Sequence, residues 1–147
     1  MNVSKRGTSK VLNVWAGTGE NAQFSNLTPR PFTFNKQKYH SVEHAYQTLK
    51  SGVFDQQTYN KYGPNTKHKI VGKLRAKTDD DFNICLMKLL IEESFLQNPE
   101  AAQALINTGD AVFTHTQDWG IWKDEFPAAL MEARERMKEL QAKELNE

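Results

Sequence analysis

The chain has 147 residues, 38% of them hydrophobic and 25% charged, which suits one ordinary domain with its own core. No apolar run is long enough to cross a bilayer, and the basic residues near the start lack the apolar segment of a secretory signal, so we expect a cytoplasmic protein without a membrane partner. Cys85 is the only cysteine, which excludes an internal disulfide and a multi-cysteine metal cluster. Its apolar neighbours predict a buried side chain.

The formal net charge of +1 conceals an uneven distribution along the chain. Residues 1–78 carry 13 Lys or Arg against 3 acids, a balance of +10, and residues 79–147 carry 6 against 15, a balance of −9. This asymmetry favours an anionic partner for the first half, such as phosphate groups or nucleic acid. Mutual neutralisation of the two halves explains it equally well. No glycine-rich phosphate loop of either common pattern occurs.

The first elements predicted along the chain are extended. Val11, Val14 and Trp15 indicate a strand, and residues 31–39 read as a hairpin with its turn near Asn35.

Two helices are predicted next. Ser41 is a good N-cap for a helix over 43–51 that Gly52 ends, and a basic helix is predicted over 66–76. On the first of these helices Glu43, Gln47 and Lys50 share one face, because they are spaced i, i+4, i+7. That face would present a carboxylate, an amide and an amine.

The second half is predicted to be mainly helical. A long helix over 80–97 is expected to bury a stripe of apolar side chains, and a short helix over 99–107 stops before Gly109. The predicted stripe contains Phe82, Leu86, Leu89, Leu90 and Leu96.

Residues 111–115 suggest a strand, and the final helix is predicted over 126–143 with Leu130, Ala133, Met137 and Leu140 inward. The fold class expected is therefore α+β, a mostly helical single domain with a small β-sheet.

The segment from His40 to His44 also matches H-x-x-E-H, the zinc signature of inverted zinc proteases. That site needs both histidines on one helical face. The cap at Ser41 leaves His40 outside the helix, and nothing identifies a third ligand. We therefore expect no metal and no other cofactor.

Several motifs together resemble one known family, the NADAR or YbiA-like N-glycosidases. They occur in the order and spacing of that family and span about residues 11–138. The matching pieces are Phe24-Ser25-Asn26, Pro31-Phe32, Ser41-Val42-Glu43-His44 with Tyr46-Gln47 and Lys50, Thr108-Gly109-Asp110, Asp118-Trp119-Gly120 and Leu130-Met131-Glu132 with Arg134.

This resemblance implies hydrolysis of an N-glycosidic bond to a ribosyl phosphate or an ADP-ribosyl group. Two substrate classes follow from it: ADP-ribose attached to guanine bases in nucleic acid, and phosphorylated aminopyrimidine intermediates of riboflavin synthesis. The first class would use the basic half more fully, because Lys and Arg pair with pyrophosphate and backbone phosphates. A binding module that retains ADP-ribose or nucleic acid without turnover is the alternative.

The resemblance and the helical face together give the expected catalytic residues. Glu43 would stabilise the oxocarbenium-like state and activate water. Lys50 would bind phosphate or attack an opened sugar aldehyde as a Schiff-base amine. Gln47 would hydrogen-bond ribose hydroxyls. Without the resemblance, a Glu and a Lys on a helix are usually solvated surface charges.

Five further residues are expected at the substrate pocket, and three of them have a structural alternative. Asn26 could hold a turn, and His44 could be a packing histidine. Asp118 and Trp119 match a family element, with Trp119 expected to stack on a base, although tryptophans are more often core residues. Phe82 stands where many family members have tryptophan, and Phe126-Pro127 stands in a shortened segment, so the pocket rim departs from the family.

Overall fold

The computed structural model describes residues 10–50 and 80–145. The predicted basic helix over 66–76 and the predicted stop at Gly52 lie outside these residues. Eight regular helices and strands are found in the described part. They are β1 (Val11–Asn13), β2 (Phe32–Phe34), β3 (Gln37–Tyr39), α1 (Val42–Leu49), α2 (Asp80–Leu96), α3 (Pro99–Ile106), β4 (Val112–Thr114) and α4 (Trp122–Leu145).

The strands form two separate pairs. β1 pairs with β4 in parallel, with Leu12 opposite Phe113, and β2 pairs with β3 as an antiparallel hairpin. Asn35 and Lys36 connect the hairpin with φ of 49° and 68°, the left-handed conformation that two-residue hairpin turns require. The predicted hairpin and turn are confirmed, and the predicted first strand is present but ends at Asn13, before Val14 and Trp15.

Helix α1 starts where its cap predicts. Ser41 has an extended backbone, and its hydroxyl accepts a hydrogen bond from the backbone N–H of His44 at 3.2 Å. His40 therefore lies before the helix, which removes the geometry that the zinc signature needs.

The long helix α2 is confirmed, but the predicted buried face is wrong. Phe82, Leu89 and Leu96 are 48%, 47% and 38% exposed, and Cys85 is also exposed, against the prediction that it is buried. Leu86 is partly buried and Leu90 fully buried. The helix is apolar on several faces, so periodicity alone does not select one. The residues it buries are Met87, Leu90, Ile91, Ser94 and Phe95.

The final helix α4 begins at Trp122, four residues before the predicted start. Pro127 lies in the second turn of this helix, where its missing N–H removes one intrahelical bond at most. The inward positions are confirmed: Leu130, Ala133 and Met137 are buried, and Leu140 is partly buried against them.

The core lies between α2, α4 and the two strand pairs, with α1 packed on α2. The described residues are mostly helical with a small amount of strand, so the predicted α+β class is confirmed. Within the described residues, no helix is both long enough and apolar enough to cross a membrane.

Candidate active site

A cavity of about 290 Å³ opens where the N-terminal part of α1 meets α2, the start of α4 and the loops after β1 and β4. This volume is at the lower end of the range of small-molecule sites. The described side chains and backbone that line it are Trp15, Ala16, Gly17, Ser25, Asn26, Leu27, Glu43, Tyr46, Gln47, Met87, His115, Asp118, Trp122 and Phe126. Four of the predicted site residues are among them.

Glu43 is held at this cavity by three neighbouring groups. Its backbone N–H donates to the carbonyl of Asn26 at 2.9 Å, which ties the first turn of α1 to the preceding loop. Its Oε2 accepts from Gln47 Nε2 at 2.5 Å, the i, i+4 contact that the sequence spacing predicted. The cap at Ser41 fixes the same turn. The carboxylate therefore has a defined position on a rigid element.

Two amide oxygens at the cavity have no hydrogen-bond partner among the described residues. They are Asn26 Oδ1 and Gln47 Oε1, and both are buried. The Gln47 orientation follows from its bond to Glu43, because a carboxylate accepts only from the amide nitrogen. Buried acceptors of this kind are costly unless something donates to them. Because both oxygens are shielded from solvent, a ligand hydroxyl or amino group would reach them only after neighbouring side chains shift.

Asp118 lies in the loop after β4, beside His115. It comes from a part of the sequence far from Glu43. His115 Nε2 is 3.0 Å from Asp118 Oδ2, and the other Asp118 oxygen accepts from the backbone N–H of Trp119 at 2.8 Å. Asn13 fixes this loop, since its Oδ1 accepts from the backbone N–H of Thr116 at 2.9 Å. A second carboxylate is therefore positioned at the cavity.

Tyr46 forms part of the cavity wall together with Trp122, and the two rings meet edge to face with centroids 5.6 Å apart. Burial, with the negative charges of Glu43 and Asp80, raises the pKa of Tyr46 to about 12. The phenol consequently stays neutral at physiological pH.

The other four predicted site residues do not line the cavity. Lys50 Nζ lies 5.4 Å from the ring centroid of Tyr46, which lines the cavity. The side chain of Tyr46 therefore separates the Lys50 ammonium group from the cavity. His44 is fully buried with its ring edge-on to Tyr39, which agrees with a packing role. Phe82 is 48% and Trp119 81% exposed. Contact of these residues with a substrate stays a prediction.

Sequence reasoning missed several residues of the cavity wall, among them Trp15, Tyr46, His115 and Trp122. Trp122, rather than the neighbouring Trp119, supplies the aromatic wall from this segment. One signal for His115 was present, because it stands three residues before Asp118 at the end of a predicted strand. The described residues that line the cavity include no lysine or arginine.

The comparisons with known proteins bear on the fold. Neither the scan against protein-family models nor the search of curated proteins gives a match. Among solved structures, the NMR structure of the E. coli protein YbiA is similar, with a TM-score of 0.68 and 20% sequence identity over 95% of this chain and 89% of that chain. The chain therefore has the fold of YbiA, as the motif resemblance implied.

Proposed function

We propose that this protein is an N-glycosidase that hydrolyses the bond between a nitrogen base and a ribosyl-phosphate or ADP-ribosyl group. The observation that carries the proposal is the placement of Glu43. This residue lines a cavity, and its carboxylate accepts a hydrogen bond from Gln47 Nε2 at 2.5 Å. The family resemblance supplies the reaction class, and the YbiA-like fold is consistent with it.

The chemistry proposed for Glu43 follows from charge. When the bond between the anomeric carbon and nitrogen breaks, positive charge develops on the sugar, and a fixed carboxylate stabilises it. The same carboxylate takes a proton from the water that attacks the anomeric carbon. The side-chain amides of Asn26 and Gln47, two residues that line the cavity beside Glu43, would hydrogen-bond the ribose hydroxyls and so orient the sugar.

The phosphate part of the substrate is assigned to a different region. Since no described lining residue is a lysine or an arginine, phosphate would lie outside the cavity, within reach of Lys50 at its edge. The excess of Lys and Arg in residues 1–78 supports a polyanionic substrate. We therefore favour ADP-ribose on guanine bases of nucleic acid over the phosphorylated aminopyrimidine.

The proposal is tested by replacing Glu43→Gln, which keeps the shape and the bond to Gln47 but removes the charge. Turnover of ADP-ribosylated guanine DNA should fall by at least about 10²-fold, the scale of general acid–base catalysis, while binding measured by fluorescence anisotropy is retained.

Glu139→Gln is the matched control, because that carboxylate is 71% exposed on α4 and makes only a 3.9 Å ion pair with Arg136. It should behave as the wild type. Undiminished turnover by Glu43→Gln would refute the role of Glu43. A wild type that binds the DNA but releases nothing would indicate the binding module instead.

A further inference from the structure

Both ring nitrogens of His115 face oxygen atoms. Nδ1 lies 2.8 Å from the backbone carbonyl of Val14, and Nε2 lies 3.0 Å from Oδ2 of Asp118. A carbonyl can only accept, so Nδ1 carries a hydrogen. The ring is further fixed between aromatic neighbours, with its centroid 4.7 Å from that of Phe126 and 5.3 Å from that of Trp15.

This arrangement requires one more proton between His115 and Asp118. Either His115 is an imidazolium and Asp118 a carboxylate, or His115 is neutral and Asp118 is protonated. In both forms a proton lies between Nε2 and Oδ2. A neutral imidazole facing an ionised carboxylate through Nε2 would place two lone pairs 3.0 Å apart. The pair is therefore built to hold a proton.

The pair faces the same cavity as Glu43. Among the described residues, the titratable side chains that line the cavity are Glu43, Tyr46, His115 and Asp118. Tyr46 is a poor proton donor to a base, because burial raises its pKa to about 12. Glu43 is proposed as the group that takes a proton from water. Among the described residues that line the cavity, the His115–Asp118 pair is therefore the remaining source of a proton.

We propose that His115 and Asp118 form a catalytic pair that protonates the leaving nitrogen, a role that rests on the proposed glycosidase function. As the bond between the anomeric carbon and nitrogen breaks, its electron pair goes to nitrogen, which takes the shared proton. The oxygen of water bonds to the anomeric carbon and loses a proton to Glu43. Exchange of the Glu43 proton with solvent and uptake of a proton by the pair restore the starting state.

A general acid matters only for a leaving group that needs a proton. An amine or amide nitrogen leaves poorly as an anion, so the pair should contribute about 10²–10⁴-fold. The pyridinium nitrogen of nicotinamide mononucleotide leaves as a neutral base and needs none. The two compounds share the ribosyl 5′-phosphate, so comparing them isolates the leaving group.

The experiment measures kcat/KM of the full chain for a 5′-phosphoribosyl aminopyrimidine and for nicotinamide mononucleotide. His115→Gln and Asp118→Asn are compared with the wild type and with His40→Gln, a histidine replaced outside the cavity. Thermal melting verifies that each variant folds. We expect both pair variants to lose about 10²-fold or more on the aminopyrimidine and to change less than about threefold on the mononucleotide. Glu43→Gln should lose activity on both.

Equal losses on both compounds, or no loss on the aminopyrimidine, would overturn the role of the pair. If the wild type cleaves only the aminopyrimidine, the pH profile decides. The pH dependence of kcat/KM should differ between the wild type and the two pair variants, and identical profiles would refute the role of the pair. A wild type inactive on both compounds and on ADP-ribosylated DNA overturns the glycosidase function itself, and this role with it.

Discussion

The helix that carries Glu43 and Gln47 depends on one buried cap, and replacing Ser41→Ala should destabilise the protein measurably. The Ser41 hydroxyl accepts from the backbone N–H of His44 at 3.2 Å, and Ser41 is only 4% exposed. Loss of an N-cap costs about 1 kcal/mol in typical cases. Water cannot easily replace a buried acceptor, so we expect about 2 kcal/mol here.

The free energy of unfolding is measured by urea denaturation and the midpoint of thermal unfolding by circular dichroism. At this chain length about 1 kcal/mol corresponds to about 4 °C, so the midpoint should fall by about 8 °C. Ser41→Thr is the matched control, because threonine also caps helices, and it should lie near the wild type. A Ser41→Ala variant as stable as the Thr variant would show that the cap does not hold this turn.

Two further predictions concern buried titratable groups. Tyr46 should titrate at about pH 12 in an ultraviolet titration. Because its pKa in the folded protein exceeds that in the unfolded chain, its contribution to stability is complete below pH ~10 and is lost as the pH rises through about 12. The Tyr46→Phe variant should lack this loss of stability. A titration midpoint of Tyr46 near pH ~10 would contradict its burial. Arg134 donates to Ala111 O at 2.8 Å and Thr108 Oγ1 at 3.0 Å, and burial lowers its pKa. Arg134→Met should lower the free energy of unfolding, measured in urea, by about 1–3 kcal/mol. Replacement of the exposed Arg136 by Met should change it by less than about 0.5 kcal/mol. Similar values for the two variants would refute a stabilising role of the buried Arg134 hydrogen bonds.

Local signals predicted most of the described fold. The cap at Ser41 and the Asn35 turn depend on neighbouring residues only, so sequence rules placed them correctly. The buried face of α2 depends on which neighbours pack against it. Because this helix is apolar on several sides, the prediction chose Phe82 and Leu89, which are exposed, and missed Met87 and Phe95.

The sequence motifs predicted part of the candidate site. Asn26, Glu43, Gln47 and Asp118 come from separate segments, and the fold brings all four to one cavity. His115 was missed because its significance lies in its contacts with Val14 O and Asp118, the first of which is 101 residues away in sequence. No spacing rule in the sequence predicts the long-range contact between His115 and the carbonyl of Val14.

The central claim is tested most directly by product analysis with the purified, metal-free protein. It is incubated with ADP-ribosylated guanine DNA and, separately, with a phosphoribosyl aminopyrimidine, and the products are separated and identified. We expect free ADP-ribose from the DNA, with at least about 10²-fold less released by the Glu43→Gln variant. Cleavage of the aminopyrimidine compound alone would indicate a hydrolase of small metabolites. The absence of product from both substrates would contradict the proposed N-glycosidase activity.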